Sequence, residues 1–243
     1  MPSAPLPPAM LIDLDDTILR FGLRADLSAE VALEFAHEAL PLKPEELGER
    51  LEQAFGDYWA DAERHRISRF RPLEEVRREI VAGLFARLRP RAPGLTEEAA
   101  FRFADRFHLY REGRLECFPG AVEALDLLKA EGVKLALITN GRSLIQREKI
   151  KRFDLAHRFD HIQIEEEHGF GKPDERAYHH AMNILGIGPQ ECWMIGDNLE
   201  WEVVAPQRLG IHAIWYDGYG QGLPEGSAIK PDRIIRSLMD LFE

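Results

Sequence analysis

Short apolar runs, each ending in a polar cluster, alternate with helical patterns along most of this 243-residue chain. Helical periodicity follows over residues 119–129, from about 143, over 174–185, toward 210 and over 234–242. Five runs have the length and composition of buried strands: residues 10–14, 133–138, 161–164, 193–195 and 211–216. Strands that alternate with helices predict an α/β fold with a mostly parallel sheet flanked by helices.

The segment after the first apolar run has a different pattern. From about residue 28 to 110 it shows helical periodicity and no convincing strand, with helices predicted over 29–40, 44–62, 73–88 and 96–110. The first residues are rich in proline and alanine and predict a loose tail. We therefore predict a tail over 1–9, a core over 10–20 and 115–243, and a helical insert over 21–114.

The charge and hydropathy exclude some classes of function. A net charge of −11 argues against general nucleic-acid binding, which needs a basic surface, but still allows a small phosphorylated ligand. No apolar stretch is long enough to span a bilayer, and the start lacks the pattern of a signal peptide. We expect a cytoplasmic protein that contacts neither membrane nor nucleic acid; its oligomeric state stays open.

Polar residues with reactive side chains stand where the predicted strands end. Asp13 and Asp15 close the first run, Thr139 follows the second, Lys172 lies in a glycine-rich loop, and Asp197 follows residues 193–195. Ligands of open parallel sheets bind beyond the carboxyl ends of the strands. Each signal alone is an ordinary turn or helix cap, but their joint occurrence at successive strand ends predicts a phosphoryl-transfer site.

Cleavage of a phosphate ester explains why these residue types belong together. It requires a nucleophile, an acid for the leaving oxygen and neutralisation of the phosphate charge. A carboxylate can attack to give an acyl phosphate, provided that a hard cation with oxygen ligands screens the two anions. Asp13 and Asp197 supply carboxylates, Lys172 a compact positive charge, and Thr139 a hydroxyl and neighbouring amides.

Four motifs in this order resemble the haloacid dehalogenase superfamily, specifically its aspartate-nucleophile phosphatases with a helical cap inserted after the first strand. The resemblance spans nearly the whole chain and implies a Rossmann-like core. The motifs are Asp13-Leu-Asp-Asp-Thr17, Ile138-Thr-Asn-Gly141, Gly171-Lys-Pro173 and Gly196-Asp197.

The resemblance implies a role for each matching residue. Asp13 would be the nucleophile and a Mg²⁺ ligand, and Asp15 would be the general acid and base, with its backbone carbonyl on the metal. Asp197 would complete the metal site. The phosphate-binding residues that it implies are Thr139, Asn140 and Lys172.

One position departs from the family pattern. The fourth motif usually continues to a second aspartate, in one common form five positions on, and Glu202 stands there. Glutamate keeps the charge but adds a methylene, so its carboxylate either reaches a metal-bound water or misses it. We take Asp197 as a ligand and leave the role of Glu202 in the surroundings of the metal open.

Several reactions are compatible with the resemblance. Asp15 favours a phosphatase over a dehalogenase, because a dehalogenase attacks carbon and needs no acid at that position. A phosphomutase would keep the same aspartate pair, and a non-catalytic binding protein on the same fold is a further alternative. The expected substrate is a small phosphorylated metabolite of the nucleotide or sugar phosphate class, with specificity residing in residues 20–115.

Overall fold

A computed structural model of the protein describes residues 5–21, 25–68 and 70–243. The chain divides into two compact units, one formed by Met1–Arg20 with Glu116–Glu243 and the other by Phe21–Leu115. Of the predicted tail, residues 1–4 lie outside the described part, and the first strand already begins at Ala9.

The first unit is built on a six-stranded sheet in which all neighbouring strands are parallel, as the alternation of patterns predicts. The strands of the chain are β1 (Ala9–Ile12), β2 (Leu19–Arg20), β3 (Glu116–Cys117), β4 (Lys134–Thr139), β5 (His161–Ile164), β6 (Cys192–Gly196), β7 (His212–Tyr216) and β8 (Arg233–Ile235). The strand order of the six-stranded sheet is β5-β4-β1-β6-β7-β8, with β1 near the centre. The other two strands, β2 and β3, form an antiparallel pair.

Helices connect the parallel strands. The helix over Glu175–Leu185 packs against the centre of the sheet. Its Tyr178 and Met182 share a buried apolar cluster with Leu11 of β1 and Ala136 of β4. The helices of this unit are α6 (Ala121–Ala130), α7 (Ser143–Arg152), α8 (Glu165–His168), α9 (Glu175–Leu185) and α10 (Ala205–Arg208), which continues a π-helical turn over Leu199–Val204.

The second unit is helical throughout its described part. Its buried core contains Phe35, Phe85 and Phe103. The ring centroid of Phe103 lies 5.0 Å from that of Phe35 and 5.7 Å from that of Phe85. Among the described residues, no helix is both long and apolar enough to cross a membrane. The helices of the second unit are α1 (Ala25–Glu34), α2 (Pro44–Ala60), α3 (Ala62–Ser68), α4 (Leu73–Leu88) and α5 (Glu97–Gly113).

Some predicted elements differ from the structure, among them the helix predicted over 29–40, which spans Ala25–Glu34. The helix predicted over 234–242 is wrong at its start, because Ile234 lies in β8 and pairs with Trp215 of β7. Only Leu238–Phe242 form a helix, of the 3-10 type. A short apolar run does not distinguish a buried strand from a helix. The strand predicted over 10–14 ends at Ile12, and β2 and β3 were missed because two-residue strands carry no readable periodicity.

Candidate active site

The carboxyl end of β1 positions Asp13, the first residue beyond the strand. Its amide donates a hydrogen bond to the carbonyl of Ile195 in β6 at 3.0 Å, so the backbone is still held by the sheet there. The residue is 7% exposed, and Thr17 Oγ1 donates to Asp13 Oδ2 at 3.4 Å. The sheet therefore presents one buried carboxylate at the end of a central strand.

Lys172 provides the positive charge next to this carboxylate. Its side chain is 1% exposed, and Nζ lies 2.5 Å from Asp13 Oδ1 and 2.7 Å from Glu202 Oε1. Burial alone would lower the pKa of Lys172, but the two carboxylates raise it above its ordinary value. The ammonium therefore stays charged at neutral pH, between two buried anions.

Asn140 fixes the backbone that carries Lys172. Asn140 Nδ2 donates to the carbonyl of Lys172 at 2.6 Å, and the amide of Lys172 donates to Asn140 Oδ1 at 2.9 Å. A Cβ at Gly171 would lie 2.5 Å from Asn140 Oδ1, so this approach requires glycine. Both ends of the Asn140 side chain thus hold the lysine loop, and its phosphate contact stays a prediction.

Glu202 reaches the centre of the site. Besides its ion pair with Lys172, it accepts a hydrogen bond from the Asn198 amide on Oε2 at 2.7 Å. A Cβ at Gly196 would lie 2.1 Å from Glu202 Cγ, so glycine at the end of β6 makes room for this side chain. Glu202 thus contacts Lys172 through one oxygen and the backbone through the other, and its role toward a metal stays an open prediction.

Asp197 adds a third carboxylate at the end of β6. Burial raises the pKa of Asp197 well above its usual range, and the charges of Glu202 and Asp13 raise it further. Burial likewise raises the pKa of Asp13, and it raises that of Glu202 to about 7 although Lys172 acts in the opposite direction. One ammonium does not neutralise three carboxylates, and carboxylate oxygens are the ligands that a hard divalent cation such as Mg²⁺ prefers.

Asp15 is held by α7. Lys149 Nζ donates to both carboxylate oxygens of Asp15 at 2.8 Å, and Gln146 Nε2 donates to Oδ2 at 2.9 Å. Gln146 Nε2 also lies 2.5 Å from Thr139 Oγ1, which links Asp15 to the end of β4. Gln146 and Lys149 are 3% and 5% exposed, and because they are three residues apart they lie on one face of the helix.

Gln146 and Lys149 of α7 were not among the predicted site residues. Their signal in the sequence was a pair of polar positions at helical spacing just after the second motif, and the same pattern is ordinary on exposed helices. The structure brings most of the predicted residues together as two connected groups, and Asp197 interacts with the first of them through its charge. One joins Asp13, Lys172, Glu202 and Asn140; the other joins Asp15 and Thr139 through Gln146.

Comparison with known proteins places this geometry in context. A family model described as a haloacid dehalogenase-like hydrolase matches residues 7–210. The phosphoserine phosphatase of Thermus thermophilus is 34% identical to the chain over 96% of this chain and 97% of that protein. The glyceraldehyde 3-phosphate phosphatase of Pyrococcus furiosus is 25% identical over 96% of this chain and 91% of that protein.

Solved structures share the fold. YfnB of Bacillus subtilis, a HAD-hydrolase solved bound to magnesium, superposes with a TM-score of 0.69 and 22% identity over 98% of each chain. At this identity the likeness concerns the fold alone. It agrees with the α/β core that the sequence predicts.

Proposed function

The chain belongs to the haloacid dehalogenase-like hydrolases and is a phosphatase of that family, and on this premise we propose a Mg²⁺-dependent reaction through an aspartyl-phosphate on Asp13. The observation that carries the proposal is the buried Asp13 carboxylate at the end of β1, 2.5 Å from the Lys172 ammonium. The proposed substrate is a small phosphomonoester, of the kind that the names of the relatives indicate for those proteins.

In the first proposed step, an oxygen of Asp13 attacks phosphorus and the bond from phosphorus to the ester oxygen breaks. Asp15 gives its proton to the departing alkoxide. Lys172 and Thr139, with the backbone amide of Asn140, hold the oxygens of the transferring group. The product alcohol leaves, and the phosphoryl group remains on Asp13.

In the second step, Asp15 takes a proton from a water molecule that attacks the aspartyl-phosphate. The bond between phosphorus and the Asp13 oxygen breaks, inorganic phosphate leaves, and both aspartates return to their starting state. Mg²⁺ held by Asp13, Asp197 and the backbone carbonyl of Asp15 would screen the negative charge that nucleophile and phosphate share. Glu202 supports the reaction by holding Lys172.

The proposal is tested by phosphate release from a panel of phosphorylated metabolites with and without Mg²⁺. The panel includes phosphoserine, glyceraldehyde 3-phosphate, nucleoside monophosphates and sugar phosphates, and a generic aryl phosphate serves as the reference substrate. We expect turnover that chelation abolishes and Mg²⁺ restores. Absence of turnover on the whole panel, or turnover without divalent metal, would contradict the proposal. The contribution of the helical unit to specificity remains a prediction.

Asp197→Asn and Glu202→Gln are expected to separate the metal ligand from the residue that positions Lys172. We expect Asp197→Asn to raise the Mg²⁺ concentration for half-maximal activity by at least about tenfold, because it removes a direct ligand. Glu202→Gln should shift it by less than about threefold, because Glu202 contacts Lys172 and the Asn198 amide and is not a proposed direct ligand. Magnesium titrations of activity measure both values, and equal shifts would make Glu202 a ligand.

Lys149→Gln is expected to lower kcat by about 10- to 100-fold, because Asp15 loses the ammonium that contacts both of its carboxylate oxygens. KM should change little, because Lys149 contacts Asp15 rather than the proposed phosphate-binding residues. The matched control is Lys151→Gln, on an exposed position of the same helix. Steady-state kinetics measure kcat and KM of both variants, and equal losses in the two variants would reject a positioning role for Lys149.

A further inference from the structure

Three histidines outside the acidic site come together from three different elements. His161 begins β5, His168 ends α8, and His180 lies in α9. One possible ligand atom from each ring lies within 4.8 Å of the other two. We propose that this cluster, called here the histidine site, binds a transition-metal ion of the Zn²⁺ type, independently of the proposed phosphatase reaction.

The ligand chemistry distinguishes the histidine site from the acidic one. Neutral imidazole nitrogens suit Zn²⁺, Co²⁺, Ni²⁺ and Cu²⁺, whereas Mg²⁺ prefers oxygen ligands. With Zn–N distances of about 2.1 Å, tetrahedral coordination places ligand nitrogens about 3.4 Å apart. Metal binding therefore requires the nitrogens of His161, His168 and His180 to move closer from separations of up to 4.8 Å. Three protein ligands leave the fourth position to solvent.

The hydrogen bonding of His168 prepares one of its nitrogens for a metal. Its Nδ1 lies 3.1 Å from the carbonyl oxygen of Ile164. Because a carbonyl only accepts, Nδ1 carries the proton and Nε2 keeps its lone pair. A backbone carbonyl that fixes the tautomer and orientation of an imidazole in this way is a recurrent partner of metal-binding histidines.

His161 has a buried nitrogen without a partner. Its Nε2 is inaccessible to solvent and forms no hydrogen bond with any residue that the structure describes. A buried polar atom without a partner costs free energy, and a bound cation would satisfy it. Phe170 lies beside the cluster, with its ring centroid 5.9 Å from that of His168 and 5.8 Å from that of His180. Its ring covers part of the cluster with an apolar surface.

The histidine site lies at the base of the loop that carries Lys172. His168 precedes that lysine by four residues, and Glu165, in the same short helix, accepts a hydrogen bond from the Gly141 amide at 3.0 Å. An ion held by His161, His168 and His180 would therefore join β5, α8 and α9 around this loop. Binding to the folded state alone would raise its stability.

The test is Zn²⁺ binding by isothermal titration calorimetry to the full chain carrying Asp197→Asn, in a buffer with excess Mg²⁺, so that the acidic site does not contribute. We expect one Zn²⁺ per chain, and at least about tenfold weaker binding in each of His161→Ala, His168→Ala and His180→Ala. His179→Ala is the matched control, since it removes an exposed histidine one position before His180. Its affinity should equal that of the parent.

Two further measurements test the histidine site even if one of the variants fails to fold. Co²⁺ should give the visible absorption of tetrahedral coordination with the parent chain and lose it in the three variants. Saturating Zn²⁺ should raise the melting temperature of the parent by about 5 °C and leave that of His161→Gln unchanged. Absence of Zn²⁺ binding by the parent, or an equal loss in His179→Ala, would overturn the proposal and leave ring packing as the role of the cluster.

Discussion

Replacement of Asp13 by asparagine is expected to lower kcat by at least about 10⁴-fold while the fold is retained. Asparagine has nearly the same shape and stays polar beside Lys172, but its amide is a poor nucleophile and forms no stable acyl phosphate. Steady-state phosphate release measures the loss. Mass spectrometry after rapid quenching should find a phosphorylated chain in the wild type and none in the variant. Circular dichroism and thermal melting check the fold.

The matched control for this variant is Asp16→Asn in the same loop. Asp16 has a φ of +60°, a left-handed conformation that asparagine also adopts readily, and its side chain accepts a hydrogen bond from Tyr219 at 2.7 Å. We expect it to keep activity within about tenfold of the wild type. Wild-type-like turnover in Asp13→Asn, or equal losses in the two variants, would reject Asp13 as the nucleophile.

Replacement of Lys172 by methionine is expected to abolish activity and to destabilise the protein. It removes the buried ammonium between Asp13 and Glu202, so kcat should fall at least about 10³-fold. It also leaves two buried carboxylates without their cation, which we expect to lower the free energy of unfolding by about 3 to 5 kcal/mol without Mg²⁺. Denaturant titrations in chelator measure the stability, and phosphate release measures the activity.

A second replacement distinguishes the two consequences of losing Lys172. Adding Glu202→Gln removes one of the uncompensated charges, so the double variant should recover at least about 1 kcal/mol of stability. Its activity should stay as low as that of Lys172→Met, because the phosphoryl group still lacks its cation. Recovery of activity together with stability would show that Lys172 acts only in holding the fold.

The family and the α/β core were predictable because their signals are local in the sequence. Each strand of the six-stranded sheet except β8 overlaps a run that the sequence predicts as a buried strand, and each motif stands at the end of one or in a glycine-rich loop. The prediction of a helix over 234–242 was wrong at its start because it also relied on local signals alone. Ile234 and Ile235 fit either element, and only pairing with β7 decides in favour of a strand.

The site was predictable in its chemistry and less so in its contacts. The sequence named Asp13, Asp15, Lys172 and Asp197, because phosphoryl transfer needs carboxylates, a cation and an acid at strand ends. Their roles remain predictions that the variants above test. The structure added Gln146 and Lys149, whose contacts with Asp15 join residues more than 130 positions apart. No periodicity within one segment reports such a contact.

The sequence by itself determined most of the order of strands and helices and the residue types that stand at the strand ends, because these depend on periodicity and turn chemistry within a few residues. Only the tertiary structure decided that Glu202 contacts Lys172 and that three histidines from β5, α8 and α9 form one cluster. The physical reason is that these contacts depend on how strands align in the sheet and how close glycine lets two segments approach. At Gly196 a single Cβ would occupy the space that Glu202 fills.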